Sequence, residues 1–362
     1  MSFLHYCVDT VFVMLGPKCN FSCKYCLQQP LMADGNEACS TQAHPDAANF
    51  LLDLAARQEG RLGIHFYGGE PFLYQKAMRG IVATLRGEPN VFFSAITNGS
   101  LIDRETAAWC NDAGMGVTVS WDGPGTVQTR GRDVFADAAL RENLFRIRKL
   151  GVSGVVSACA YPLETVDAFA CLDREYHALH GYNLSLNLDE IMDTGLADTR
   201  LLDVDAARVR EDMETIAGEY ENKLRGEPHN LWRANVGRAY VDMLRNNIRG
   251  AQSFARSVCA CGNGTTTLNM DMQGNLYFCH NTHTVVGTVR DSFGPYLRRV
   301  MQHDPTRENS RVCKDCPVVA LCACGCPLIG PDVRAATYCK LKRAMLQPFV
   351  DLVLRLGAGE SA

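Results

Sequence analysis

Cys19-Asn20-Phe21-Ser22-Cys23-Lys24-Tyr25-Cys26 stands directly behind the run Val8–Leu15. That run is rich in β-branched and apolar residues and reads as a strand, so the three thiols occupy the loop at its C-terminal end. The same texture then repeats along the chain. Ala47–Gln58 contains no Gly or Pro and reads as an amphipathic helix, with Asp46 placed to cap it. Leu62–Tyr67 reads as a second strand, Met78–Leu85 as a helix and Val91–Thr97 as a third strand. Asp103–Ala113 is helical behind its own acidic cap, and Gly116–Ser120 is a fourth strand. Phe135–Leu150 reads as one long helix, Val152–Ala160 as a fifth strand, Val166–His180 as a helix and Leu184–Leu188 as a sixth strand. Successive βα units imply a parallel sheet with right-handed crossovers. In such folds the chemistry belongs to the loops at the strand C-termini. Here those loops carry the cysteines, Gly68-Gly69-Glu70-Pro71, Asn98-Gly99 and Asp122-Gly123-Pro124.

The chain has 362 residues, 47% hydrophobic and 21% charged, ordinary proportions for a globular chain with a sizeable core. Its net charge of −4 comes from 36 Lys and Arg against 40 Asp and Glu, with no block of like charges. That balance argues against a nucleic-acid binder, which needs a basic face for phosphates. No apolar run approaches the ~18 residues of a membrane span. The N-terminal segment has no Lys or Arg before Lys18 and carries Asp9, so it does not read as a secretory signal.

Seventeen cysteines are the outstanding feature. Without a secretory signal, a cytoplasmic chain is expected, and clustered thiols in a reducing cytosol read as metal ligands. Three lie between Cys19 and Cys26, three between Cys259 and Cys279, and six between Cys313 and Cys339. Cys7, Cys39, Cys110, Cys159 and Cys171 are scattered and read as small buried hydrophobes. Residues Ala206–Asn247 are charged and helical and look like a bridge. From Val258 the texture changes to Cys, Gly and short strands (Thr265–Met270, Asn275–Phe278), as in a domain held by metals rather than by an apolar core. Tyr338–Leu356 reads as a closing helix. The expected division is therefore 1–205, 206–255, 256–345 and 346–362.

Three thiols spaced C-x3-C-x2-C can ligate three irons of a [4Fe–4S] cluster and leave the fourth iron open. Structural zinc usually takes four ligands, and no fourth Cys or His sits near Cys26. With Tyr25 before its third cysteine, this loop resembles the signature of the radical S-adenosylmethionine (radical SAM) superfamily. Gly68-Gly69-Glu70, read alone a plain tight turn, resembles the family motif that holds the methionyl amine. Thr97-Asn98-Gly99 and Ser120-Trp121-Asp122-Gly123 resemble the strand ends near the cofactor's ribose and carboxylate. Their plainer reading is a turn with an Asx cap. The resemblance implies a partial (β/α)6 TIM-like barrel that binds S-adenosylmethionine through Tyr25, Gly68, Gly69, Glu70, Asn98, Ser120 and Asp122. Arg141 is a candidate for the carboxylate from its helix position alone.

Cys313-x2-Cys316-x5-Cys322-x3-Cys326-x12-Cys339, with Cys261-x12-Gly274-x4-Cys279 upstream, resembles the SPASM domain and its two auxiliary [4Fe–4S] clusters. Cys313-x2-Cys316 taken alone also fits a zinc ribbon. The resemblance places Cys261, Cys279 and Cys326, with Cys259 as fourth ligand, on the first auxiliary cluster. It places Cys313, Cys316, Cys322 and Cys339 on the second, with Cys324 as a competitor. Three [4Fe–4S] clusters are thus implied. So is a peptide or protein substrate, oxidised by cross-linking, thioether or formylglycine formation. A small-molecule or nucleoside radical enzyme is the alternative. An implied partner is a one-electron donor such as flavodoxin or ferredoxin; because neither end leaves room for a leader-binding domain, the substrate is expected to be gripped by the barrel, by the bridge helices or by a separate leader-binding protein. His280, immediately after Cys279, stands where the related sulfatase-maturating enzymes are expected to carry an Asp general base. It is the candidate proton acceptor, or else merely a hydrogen-bond donor to a cluster sulfide or a backbone carbonyl.

Overall fold

The computed structural model describes residues 8–29, 43–58, 60–193, 198–250, 262, 264, 266–282, 284–303, 313–322, 324–326, 328–330, 332 and 337–359. Cys7, Cys39, Cys259 and Cys261 lie outside them. Strands β1 (Thr10–Met14), β2 (Leu62–Tyr67), β3 (Val91–Thr97), β4 (Gly116–Ser120), β5 (Leu150–Val156) and β6 (Ser185–Glu190) pair in parallel, each with the next. Between them run α1 (Pro45–Arg57), α2 (Gln75–Leu85), α3 (Arg104–Asp112), the short α4 (Thr126–Arg130), α5 (Ala138–Phe145) and α6 (Pro162–His180). The parallel sheet is the one the repeating pattern predicts, in the α/β partial-barrel arrangement the resemblance implies. Its physical signature is alternation: Val11, Val13, Ile64, Phe66, Val117 and Val119 are buried. The opposite face follows the strand register through Phe12, His65, Ser94, Ser120, Ser153 and Asp189, and lines the lumen.

Three expectations are corrected. The long helix over 135–150 is only α5. Asp137 caps it at Ala139 and Leu140, and Leu150 already pairs with Val117 in the sheet. Helix α1 is capped by His44, whose Nδ1 accepts from the Asp46 N–H at 3.2 Å, because Pro45 moves the start two residues earlier. Cys110 is buried as expected, but Cys159 and Cys171 are exposed.

The cysteine-rich region is not a metal-only appendage. β7 (Thr267–Asp271) pairs in parallel with β1, and β8 (Asn275–Tyr277) and β9 (Val285–Thr288) extend it antiparallel, giving one nine-stranded sheet in the order β6-β5-β4-β3-β2-β1-β7-β8-β9. Leu268, Met270, Leu276, Phe278 and Val286, with Tyr296 and Val300 of α9 (Phe293–Gln302), join the barrel's apolar core. Nor is 206–250 a bare bridge. Helices α7 (Ala206–Arg225) and α8 (Leu231–Gly250) pack with α11 (Cys339–Gly359) around Met213, Ile216, Val241, Phe349 and Leu352, on the β6 side of the sheet. The short α10 (Val319–Cys322) joins the same cluster. Among the described residues no helix is long and apolar enough to cross a membrane.

Candidate active site

The cysteine loop is fastened to the end of β2 by backbone alone. Gly69 N–H donates to the Gly16 carbonyl at 3.0 Å and Glu70 N–H to the Lys18 carbonyl at 2.8 Å. Gly68 adopts φ +143°, and a Cβ there would lie 2.5 Å from the Gly16 carbonyl oxygen. The two glycines are thus what lets the strand end touch the loop. Glu70 is 1% exposed and its carboxylate accepts from Phe72 N–H (3.0 Å), Thr97 Oγ1 (2.7 Å) and Asn98 N–H (2.8 Å). Burial raises its pKa against those bonds. Oε2 takes only the Asn98 donor and keeps acceptor capacity for an ammonium. Asn98 ties this corner to the loop, donating to Asn20 Oδ1 at 2.8 Å and facing Cys19 Sγ at 3.9 Å.

Asp122 does a different job from the one the motif suggests. It is wholly buried, and its two oxygens accept from Tyr25 Oη, Thr129 Oγ1, Val155 N–H and both Nε and Nη2 of Arg130. No capacity remains for a cofactor carboxylate or ribose. Asp122 instead positions the Tyr25 phenol and the Arg130 guanidinium, which lies 5.1 Å from the centre of the Tyr25 ring. Ser120 is half-buried on the lumen face, paired in register with Ser153. Arg141 is not at the site. It reaches the Phe135 carbonyl at 3.0 Å and Glu175 at 3.4 Å on the outer helices, so the sequence-based assignment fails on orientation. The cation that does face the thiols is Arg130.

Burial raises the Cys19, Cys23 and Cys26 thiols, Cys23 to about 11, and Cys23 is raised further by its two neighbours. Arg130 pulls Cys23 and Cys26 the other way. Among the described residues no three side chains are gathered tightly enough to hold a single ion. Three half-buried thiols that sense one another, beside a guanidinium and under a carboxylate, fit a multi-iron cluster whose charge stabilises the thiolates. A second gathering lies against α11. Cys313, Cys316, Cys322, Cys324 and Cys339 line one cavity with Tyr338 and Lys342. Burial pushes Cys322 to about 12, with Lys342 opposing. Cys326 has its N–H on the Tyr338 hydroxyl at 3.3 Å.

Cys279 is buried and its charge is felt by the Tyr67 phenol in the lumen. His280 also points there. It stacks on Phe12 (ring centres 4.3 Å apart), meets Tyr67 edge-on at 4.5 Å, and its Nδ1 lies 3.0 Å from Asn269 Oδ1. That enclosure pushes its pKa down to about 4, with His65 adding to the effect, so the imidazole is neutral and weakly basic. The near-neutral pKa expected of it does not hold. Sequence reading missed Gln28, Arg130, Glu190 and Lys342. Buried Gln28 donates to the His280 carbonyl (2.8 Å) and to Asn281 Oδ1 (2.7 Å), clamping the first cysteine loop to the segment behind Cys279. Glu190, at the end of β6, holds Lys342 at 2.6 Å.

The radical SAM superfamily pattern matches residues 13–170. The structure of anSMEcpe with bound AdoMet superposes with a TM-score of 0.65 at 17% identity, covering 96% of this chain and 98% of that one. The same enzyme is known with AdoMet and the Cp18Cys peptide. SuiB of Streptococcus suis superposes at 0.58 and 16% identity, covering 89% of this chain and 73% of that one, and also has a structure with its precursor peptide SuiA. At those identities the likeness is one of fold. GTP 3',8-cyclase of Stenotrophomonas maltophilia (strain K279a) is 34% identical over 109 residues, 30% of this chain and 32% of the relative, so the match spans about a third of that protein. Residues 13–170 are a radical SAM domain. That domain match, together with the shared fold, supports S-adenosylmethionine-dependent radical chemistry on an iron–sulfur cluster.

Proposed function

We propose that this enzyme oxidatively matures a peptide or protein, with Cys19, Cys23 and Cys26 holding the cofactor's cluster and the C-terminal thiols holding two more. The observation that carries the reading is the second thiol cavity. Four of its cysteines are those the SPASM resemblance assigns to one auxiliary cluster, and Lys342 links its wall to Glu190 at the rim of the lumen. Cys279 and Cys326, with Cys259 and Cys261 outside the described residues, are left for the other. When bound, S-adenosylmethionine and its cluster supply a radical able to remove hydrogen from an unactivated carbon. The protein's part is to seat the methionyl amine near Glu70 Oε2, keep the lumen dry with Phe12, Tyr67 and His280, and offer an electron acceptor across it. The peptide-bound fold neighbours support a peptide substrate. A flavodoxin or ferredoxin as reductant, a separate leader-binding protein and a cytoplasmic location complete the reading.

Anaerobic co-expression with candidate precursor peptides tests it, since modified peptide should lose about 2 Da for each oxidation. Reconstituted protein should bind about twelve irons, and a content near four would remove both auxiliary clusters. The similarity to GTP 3',8-cyclase favours a second reading, a nucleotide or other small-molecule substrate. No mass change in any peptide would move the assignment there.

A further inference from the structure

Around the lumen, the titratable side chains among the described residues are committed to protein partners, with one exception. Asp122 is held by the donors described above, and the remaining capacity of Glu70 Oε2 is assigned to the methionyl amine. His65 Nδ1 lies 2.5 Å from Ser94 Oγ, His280 is engaged by Asn269, the Tyr67 hydroxyl faces Asn281 at 3.3 Å, and Glu190 is neutralised by Lys342. Asp189 differs. Its Oδ2 accepts from Asn187 Nδ2 at 2.8 Å and more distantly from Ser153 Oγ at 3.5 Å, while Oδ1 meets no donor among the described residues. The carboxyl is exposed to the lumen, and its charge reaches the Tyr67 phenol. Burial, reinforced by Glu190 and opposed by Lys342, raises its pKa. A lumen-facing carboxylate with one oxygen unengaged and a raised pKa is placed to take a proton from whatever occupies the lumen. Its location suggests the work, because Asp189 faces the lumen from the edge strand β6, within electrostatic reach of the same Tyr67 phenol that senses Cys26.

We propose that Asp189, rather than His280, is the proton acceptor for substrate oxidation. The proposal rests on the oxidative-maturation reading. The balance is then complete. The substrate carbon gives one hydrogen atom to the 5′-deoxyadenosyl radical and one electron to an auxiliary iron–sulfur cluster. The oxygen, sulfur or nitrogen that bonds to that carbon gives its proton to Asp189 Oδ1. One C–H and one X–H bond break, and one C–X bond forms or gains order.

The test uses full-length, reconstituted enzyme and a peptide that wild type modifies. Asp189→Asn should keep its iron content and its Kd for S-adenosylmethionine, and should still form 5′-deoxyadenosine. Modified peptide per 5′-deoxyadenosine should fall about 100-fold or more, the scale of a lost general base. Asp189→Glu should restore part of the coupling. Wild-type product formation should decline as pH falls through the raised Asp189 pKa, and the residual Asp189→Asn rate should lack that limb. The charged and titratable groups facing Asp189 are Glu190 on its own strand, Lys342 on α11, and the phenols of Tyr67 and Tyr240. An unchanged product ratio in Asp189→Asn overturns the proposal, as does loss of iron or of cofactor affinity, which marks a structural role. If wild type modifies no peptide, the maturation reading itself fails and takes this proposal with it.

Discussion

The two thiol sites are held in place by different physics. The N-terminal loop is fixed by main-chain contact with two glycines and by buried carboxylates whose oxygens are nearly all used, Glu70 with three donors and Asp122 with five. The C-terminal cavity instead rests on a helix, α11, packed in an apolar core with α7 and α8, and meets the end of β6 through Lys342 and Tyr338, both on Glu190. A site that must orient an amino acid to a fraction of an ångström needs the first kind of frame. A site that passes only electrons tolerates the second.

Substitutions at the two frames should therefore differ in size. Asp122→Ala strands the Arg130 guanidinium and three further buried donors, and should cost about 3–5 kcal/mol in denaturant unfolding. A loss under about 1 kcal/mol would show that the first frame does not depend on this carboxylate. Lys342→Met leaves Glu190 facing the second cavity without its cation. The loss should be smaller, about 2 kcal/mol, because the Lys342 side chain is 21% exposed and solvent shares the charge. Burial opposes the Lys342 ammonium, but Glu190 outweighs it and raises the pKa. The pair's contribution is thus complete below the ordinary lysine pKa and is lost only as pH rises through the raised value. A stability difference between wild type and Lys342→Met that vanishes at neutral pH would contradict this.

Glu70→Gln keeps shape but weakens the ammonium acceptor, and should raise the Kd for S-adenosylmethionine about tenfold, or 1.4 kcal/mol, with iron content intact. Titration calorimetry checks it, and unchanged affinity would reduce Glu70 to a strand-end cap. Arg141→Ala should be nearly silent, below about 1 kcal/mol in stability and with unaltered cofactor affinity, because its partner Glu175 is an exposed surface carboxylate. A large rise in Kd would restore Arg141 to the site.

Where local pattern governs, sequence was enough. Leu62–Tyr67, Val91–Thr97 and Gly116–Ser120 are strands with the bounds their alternation predicts, since each side chain's face is set within the segment. The C-x3-C-x2-C loop and the glycines beside Glu70 were legible for the same reason: covalent spacing and absent Cβ atoms are properties of the chain itself. The long-range outcomes were decided elsewhere. That β7 docks on β1 and extends the barrel, that Gln28 reaches Asn281, that Asp122 is used up by Arg130 and Tyr25, and that Asp189 Oδ1 meets no donor among the described residues all depend on which distant groups arrive first at a given donor or acceptor. A carboxylate in a motif announces only that it can bind something. Whether its partner is a cofactor, an arginine or a substrate proton is settled by the three-dimensional census of hydrogen-bond donors around it, which only the tertiary structure supplies.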